Sequence, residues 1–243
     1  MSTALDCLRE LHTVEKEMSS QRILYGVALT LLSVLSLVMN TLLLLVLFND
    51  VMDKFFRLHL LSAALSGLVG IVPILSALLP AIFFDVGLED PTNIVISVTD
   101  TLGYLTLMMT TTAIAFDRFV FFLLPKVHRR LSDNKAIIGC FAAIPWVAAV
   151  LLIVNMTFSG CHKRTDPYAL TFTYSCSVCT HYGALLNIAG YAFPAINFVL
   201  YFIVYCRILA LRQEFRSIVE RPSTGNSVRK SEMSLVRKSF LIC

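Results

Sequence analysis

Charged side chains are scarce in this sequence: they make up 15% of its 243 residues, whereas 57% of the residues are hydrophobic. Soluble domains average about 25% charged residues, so this chain has too few to give its apolar mass a water-compatible surface. The mean hydropathy of +0.76 points the same way. A net charge of only +4 also excludes a nucleic-acid binder that relies on overall basicity. The composition therefore predicts an integral membrane protein.

Enzyme and metal signatures are also missing. The five histidines are scattered without metal-ligand spacing, and the sequence has neither a Gly-x-Ser-x-Gly elbow nor a phosphate-binding glycine loop. Cys176 and Cys179 form a Cys-x-x-Cys pair, but no second pair or histidine cluster completes a zinc site. We therefore expect no enzymatic activity, no cofactor and no metal.

Long apolar stretches divide the chain. A helix needs about 20 mostly apolar residues to cross the hydrocarbon core of a bilayer. Five predicted spans meet this requirement, over residues 23–48, 58–83, 92–124, 136–156 and 181–211. A polar, basic segment at 212–238 follows, and the apolar residues 239–243 look like the start of a truncated sixth helix.

The basic residues predict the orientation, because cytoplasmic loops collect Lys and Arg. Fifteen of the 20 lie on the side of the 212–238 segment, and five lie on the side of the N-terminus. Residues 1–22 are therefore predicted to be extracellular and residues 212–238 cytoplasmic. Residues 1–22 contain no apolar core of signal-peptide length, so we expect the first span to stay in the mature chain as an uncleaved anchor. We expect a multi-pass protein of the plasma membrane.

The third span differs from the others because it contains charged residues: Asp100 near its start, and Asp117 and Arg118 near its end. Before it, Asp90 and Pro91 predict an N-cap and a first helical position. An ionisable residue inside a membrane helix costs at least about 2.5 kcal/mol unless it is paired or hydrated. Arg118 is therefore either a functional residue or one whose long side chain extends to the membrane interface.

Several motifs occur in helix order. They are the triplet Asp117-Arg118-Phe119 with Pro125 seven residues after the arginine, Asn40 in the first span, Trp146 in the fourth, and Pro194, Tyr201 and Tyr205 in the fifth. Together they resemble the rhodopsin-like G protein-coupled receptors, and the sequence is most similar to the nematode serpentine chemoreceptors of class x. The resemblance implies an all-α integral membrane protein that holds the first five helices of a seven-transmembrane-helix bundle.

The resemblance also implies functions. The chain would be a chemosensory receptor that binds an external small molecule and signals to a heterotrimeric G protein, with no nucleic-acid partner. Arg118 would face the G protein, Asp117 would restrain it, and Pro125 would belong to the same coupling site. Glu232 is a second possible restraint or a solvated loop acid. The alternatives are a transporter or channel subunit, or a receptor fragment that does not signal.

Two positions depart from the family pattern. Where these receptors have an aspartate in the second helix, this chain has Leu65, or Ser66 if the register shifts by one, so a sodium site is doubtful. No cysteine lies near residues 91–94, where such receptors usually tie the third helix to the second extracellular loop. That loop must be held in another way.

Asp100 precedes Arg118 by eighteen residues, or five helical turns, so both lie on one face of the helix, about 27 Å apart. Its position matches the amine-binding aspartate of aminergic receptors, which predicts a cationic ligand with Tyr104 beside it. The alternative is an aspartate that is hydrated near the helix start or hydrogen-bonded to Thr99, Thr101 or a neighbouring helix.

Four cysteines fall on the predicted extracellular side, where disulfides persist. Cys7 lies in the N-terminal segment, and Cys161, Cys176 and Cys179 lie between the fourth and fifth spans. We expect Cys161 to bond with Cys176 or Cys179. Asn155 begins a glycosylation sequon, but its position at the end of the fourth span puts it close to the membrane.

Overall fold

The computed structural model of the protein describes residues 4–11, 20–47, 54–132, 134–177 and 179–220. The predictions for the basic segment beyond residue 220, for Glu232 and for the sixth helix at 239–243 lie outside the described residues.

Eight α-helices and one short β-hairpin make up the described chain. The helices are α1 Ala4–Leu11, α2 Ser20–Leu47, α3 Lys54–Pro73, α4 Leu79–Phe84, α5 Thr92–Leu123, α6 Pro125–Ser132, α7 Lys135–Phe158 and α8 Thr180–Glu220. A π-helical turn, Ile74–Leu78, joins α3 to α4. The strands β1 Arg164–Asp166 and β2 Thr171–Thr173 pair antiparallel, with Thr165 opposite Phe172.

Five helices in the described part of the chain are long and apolar enough to cross a membrane. They are α2, the continuous α3–α4 unit, α5, α7 and α8, in the order of the predicted spans. The fifth helix continues to Glu220, beyond the predicted end at residue 211. Sequence reasoning missed α1, α6 and the hairpin, because short elements that depend on tertiary contacts have little periodicity of their own.

Two prolines bracket the π-helical turn in the second span. Pro73 ends α3, and Pro80 lies in the first turn of α4. Proline cannot donate a backbone hydrogen bond, and its ring clashes with the carbonyl four residues earlier. The wider π turn between them accommodates both prolines without ending the span.

A proline lies at each end of α5. At its start, Pro91 is the N-cap residue and no side chain caps the helix, so the prediction that Asp90 is the N-cap is wrong. The Asp90 carboxylate binds Arg164 instead. At the other end, Leu124 leaves the helical conformation and Pro125 begins α6, the first helical position being one that proline tolerates.

Helix α5 lies at the centre of the bundle and contacts α3, α7, α8 and β1. Its buried surface is unusually polar, and its buried polar residues are Asn93, Ser97, Thr101, Thr106, Thr110 and Asp117. Lipid tails cannot hydrogen-bond such groups, so a helix of this kind must be enclosed by protein. The composition of α5 therefore explains its central position.

Close packing of α3 against α5 depends on two glycines. A Cβ added to Gly103 would lie 2.6 Å from the backbone nitrogen of Gly70 and 2.8 Å from the carbonyl oxygen of Ser66. Backbone atoms cannot move away as a flexible side chain can, so α5 approaches α3 this closely only because residue 103 has no side chain.

We expect Gly103→Ala to separate α3 from α5 and to destabilise the fold by about 1–3 kcal/mol, as overpacking usually does. Gly139→Ala is the matched control, since a Cβ at Gly139 meets nothing within 4 Å. Thermal unfolding of the purified protein in detergent measures both variants. A lower Tm for Gly103→Ala alone is the expected result, and equal Tm values would show that the close approach is not required.

Candidate functional site

The charged residues of α5 lie in two groups at opposite ends of the bundle. We call the end that carries α1 and the β-hairpin the hairpin end, and the end that carries α6 the α6 end. Both groups belong to one helix of 32 residues, Thr92–Leu123.

Asn93 attaches the hairpin to α5. Its side-chain oxygen accepts a hydrogen bond from the backbone N–H of Thr165 at 2.7 Å, and its amide donates to the Thr165 carbonyl at 3.1 Å. Ser97 adds contacts to Asn93 at 3.1 Å and to the Thr165 hydroxyl at 3.0 Å. Asn93 and Thr165 are only 1% and 3% exposed. Asn93 thus pairs with β1 through both backbone groups of one residue, much as a neighbouring strand would.

A buried arginine strengthens this attachment. Arg164 donates from Nε to both carboxylate oxygens of Asp90 at 3.1 Å, and from Nη2 to Asp90 Oδ2 at 2.8 Å. Its Nη1 also donates to the Cys176 carbonyl at 3.3 Å. These hydrogen bonds hold the hairpin against the loop before α5 without a disulfide to α5.

Two disulfides close the hairpin end. Cys161 bonds with Cys179, which is one of its two expected partners, and Cys176 bonds with Cys7 of α1. Leu8 of α1 is completely buried, and Arg9 donates to the Tyr168 hydroxyl at 3.2 Å. The N-terminal helix is therefore fastened to the hairpin both covalently and by packing.

Asp100 forms an ion pair with Lys163, the residue before β1. A carboxylate shielded from water needs a cation to balance it, and Lys163 of the same chain supplies that cation. The two side chains are 22% and 14% exposed, so the pair is partly shielded from water. Lys163 was not singled out from the sequence, because a single lysine in a loop has no pattern that predicts its partner.

The ion pair lies in an open pocket between α5, α8 and the hairpin. Its volume is about 820 Å³, including the solvent at its mouth. The lining residues are Asp100, Thr101, Tyr104, Lys163, Tyr174, Leu186, Asn187, Gly190 and Tyr191. Tyr104 thus shares one pocket with Asp100.

The Tyr174 hydroxyl lies 3.2 Å from the Thr101 hydroxyl at the edge of this pocket. Burial raises the pKa of the Tyr174 phenol, the hydrogen bond with Thr101 opposes that rise, and the Asp100 carboxylate adds to it. The phenol is therefore neutral at physiological pH and keeps its proton for donation.

At the α6 end, the nearest partner of Asp117 comes from α6. His128 Nε2 lies 3.1 Å from Asp117 Oδ1, whereas Arg118 Nε lies 3.9 Å from Asp117 Oδ2. The His128 ring also meets the Phe121 ring edge-on at 5.1 Å. Because Pro125 starts α6 immediately after α5, the chain turns back and brings His128 to Asp117.

Arg118 packs against an aromatic ring. Its guanidinium carbon lies 4.0 Å from the centre of the Phe56 ring in α3. A cation over an aromatic face is attracted by the ring electrons, by about 0.5–2 kcal/mol depending on exposure. Arg118 therefore contacts both the Phe56 ring and, through a long ion pair of 3.9 Å, the Asp117 carboxylate. Sequence reasoning did not identify Phe56 or His128, since neither has a spacing that links it to Arg118.

A polar contact joins three helices between the two ends. Trp146 Nε1 donates to the Ser62 hydroxyl at 2.9 Å, and this hydroxyl lies 3.2 Å from that of Thr110. Nearby in α3, Ser66 is completely buried whereas Leu65 is 42% exposed. Of the two residues compared with the aspartate of the rhodopsin-like pattern, Ser66 is therefore the one that faces the bundle.

Asn155 lies within α7, and the Tyr182 hydroxyl donates a hydrogen bond to its side-chain oxygen.

Within the described ranges, no three or more His, Cys, Asp or Glu side chains come together in a group that could hold a metal ion.

The five long apolar helices around a polar central helix define a helical membrane protein, and its Asp-Arg-Phe triplet resembles that of G protein-coupled receptors. The model of the serpentine seven-transmembrane GPCR chemoreceptor family Srx matches residues 31–241, and the chain belongs to this family. No individual curated protein matches it. The predicted family and the predicted all-α membrane fold are thereby confirmed.

We expect Asn93→Ala to loosen the hairpin, because it leaves the buried N–H and C=O of Thr165 without their partner, at a cost of about 1–3 kcal/mol. Limited proteolysis of the hairpin in membranes measures this, with faster cleavage expected. Thr171→Ala, an exposed position on β2, is the control. Unchanged cleavage of the Asn93 variant would show that Arg164 and the disulfides hold the hairpin without Asn93.

Proposed function

We propose that this chemoreceptor binds an external small molecule in the hairpin-end pocket and signals to a heterotrimeric G protein from the α6 end. The observation that carries the proposal is the position of both charged groups on α5, an uninterrupted helix. A ligand that shifts Asp100 acts on the same rigid element that ends in Asp117 and Arg118. The arrangement offers a direct mechanical connection between the two sites.

The proposed orientation places the N-terminus outside the cell, with the receptor in the plasma membrane. The excess of basic residues on the α6 side supports it. The disulfides give independent support, because all four bonded cysteines lie at the hairpin end and disulfides persist in oxidising compartments.

Glycosylation sequons introduced at Glu10 and at Gly225 test this orientation. We expect sugar to be added at position 10 only, because the transferase acts on the side of the membrane that becomes extracellular. A mobility shift that endoglycosidase reverses is the measurement. Sugar at position 225 and none at position 10 would reverse the proposed orientation.

Coupling at the α6 end is proposed to depend on Arg118, with Asp117 and Pro125 controlling its position. The Phe56 contact at 4.0 Å supports a resting state in which the guanidinium is held inside the bundle. The His128 contact at 3.1 Å supports a role for Asp117 in holding α6 against α5. Pro125 sets the turn between these two helices.

In cells that express the protein with a suitable G protein, we expect Arg118→Ala to abolish ligand-dependent signalling at unchanged surface level. The guanidinium is the proposed contact with the G protein, and alanine removes it. Arg129→Ala removes an exposed arginine of α6 and is the matched control. Asp117→Asn should instead raise basal signalling, since a neutral amide weakens the attraction for both His128 and Arg118. Normal signalling by the Arg118 variant at equal surface level would rule out its proposed role.

The proposed ligand-binding residues are Asp100 and Tyr104. A purely cationic ligand, as the aspartate by itself suggests, would have to compete with Lys163 for the same carboxylate.

A further inference from the structure

The hairpin-end pocket contains one negative and one positive side chain, and they are paired with each other. Asp100 and Lys163 are both partly shielded, at 22% and 14% exposure, and among the described residues neither side chain has another hydrogen-bond partner. The pocket is therefore electrically neutral overall but strongly polarised at one point.

Both charged groups have hydrogen-bonding capacity left for a ligand. An ammonium group has three donors and a carboxylate has about four acceptor sites, so one mutual hydrogen bond uses only a fraction of either. The rest of the Lys163 ammonium faces aromatic rings, with the centres of Phe172 and Tyr174 at 5.2 and 5.8 Å. These rings stabilise a cation but accept no strong hydrogen bond from it.

A ligand with a single charge fits this arrangement badly. An amine that pairs with Asp100 adds a second cation to a carboxylate that Lys163 already neutralises, and a carboxylate that pairs with Lys163 adds a second anion beside Asp100. Either ligand leaves one uncompensated charge in a partly shielded pocket. Removing charge from water without a partner is unfavourable. A ligand that carries both charges exchanges one ion pair for two, so no charge is left unpaired.

We infer that the ligand is a small zwitterion, with an amine for Asp100 and a carboxylate for Lys163, as in amino acids. This inference rests on the proposal that the pocket is the ligand site. The remaining lining supports a small polar ligand, since Thr101, Tyr104, Asn187 and Tyr191 offer hydrogen bonds and Leu186 is the one aliphatic residue in the lining.

Four matched compounds test the inference: γ-aminobutyrate, butylamine, butyrate and butyramide, together with the corresponding series of two-, three- and five-carbon chains. Binding to the purified full chain in detergent is measured directly by ligand-observed NMR, so the result does not depend on G protein coupling. We expect a zwitterion to bind about tenfold more tightly than either singly charged analogue of the same length, the value of one charge-assisted hydrogen bond.

Three variants identify the groups involved. Lys163→Met should abolish the advantage of the zwitterion over the amine, and Asp100→Asn its advantage over the carboxylate. The exchange variant Asp100→Lys with Lys163→Asp keeps the pair intact and should still prefer zwitterions, which guards against loss of fold in the single variants. Lys126→Met, at an exposed lysine of α6, should leave all affinities unchanged.

The alternatives give different results. Butylamine binding as tightly as the zwitterion would overturn the inference and leave Asp100 as a simple counter-ion. Butyramide binding tightest would mean that the ion pair is purely structural. If no compound of any series binds, the zwitterion inference is overturned and the pocket is disfavoured as the ligand site. If only singly charged compounds bind, the zwitterion inference is overturned but the proposed receptor function stands.

Discussion

The contact between Asn93 and Thr165 determines the shape of the hairpin end. By pairing with both backbone groups of Thr165, Asn93 fixes β1 on the first turns of α5. The residues just before Thr165 are then placed as a consequence: Arg164 meets Asp90, and Lys163 meets Asp100. The two disulfides secure the outer parts of the same layer, including α1. A pair of hydrogen bonds from one asparagine side chain thus anchors the hairpin to α5.

The polar face of α5 explains why one helix connects the two sites. Serine, threonine and asparagine side chains along its length need partners that lipid cannot provide, so neighbouring helices must surround it. Thr110 with Ser62 and Trp146 shows how such partners are found between α5, α3 and α7. The small side chains, together with Gly103 against Gly70, also permit close helix packing, which makes the central helix well suited to act as a rigid element.

The α6 end differs from the simple pairing that the Asp-Arg-Phe triplet suggests. Adjacent residues on a helix point in different directions, so Asp117 and Arg118 do not face each other well. Each finds a better partner on another element: Asp117 on α6 through His128, and Arg118 on α3 through the Phe56 ring. The contacts of Asp117 and Arg118 are therefore shared among α3, α5 and α6, and the His128 contact depends on the turn at Pro125.

The sequence by itself determined the membrane class, the five spans in order, the family, and the placement of Asp100, Asp117 and Arg118 on one helix. These properties follow from local composition and helical periodicity, which act within a single segment. The tertiary structure decided which groups meet: Lys163 with Asp100, Asn93 with Thr165, His128 with Asp117, Phe56 with Arg118, and Cys7 with Cys176. Those contacts join residues from separate elements, and a side chain has no sequence signal for a partner that only the packing of the bundle brings within reach.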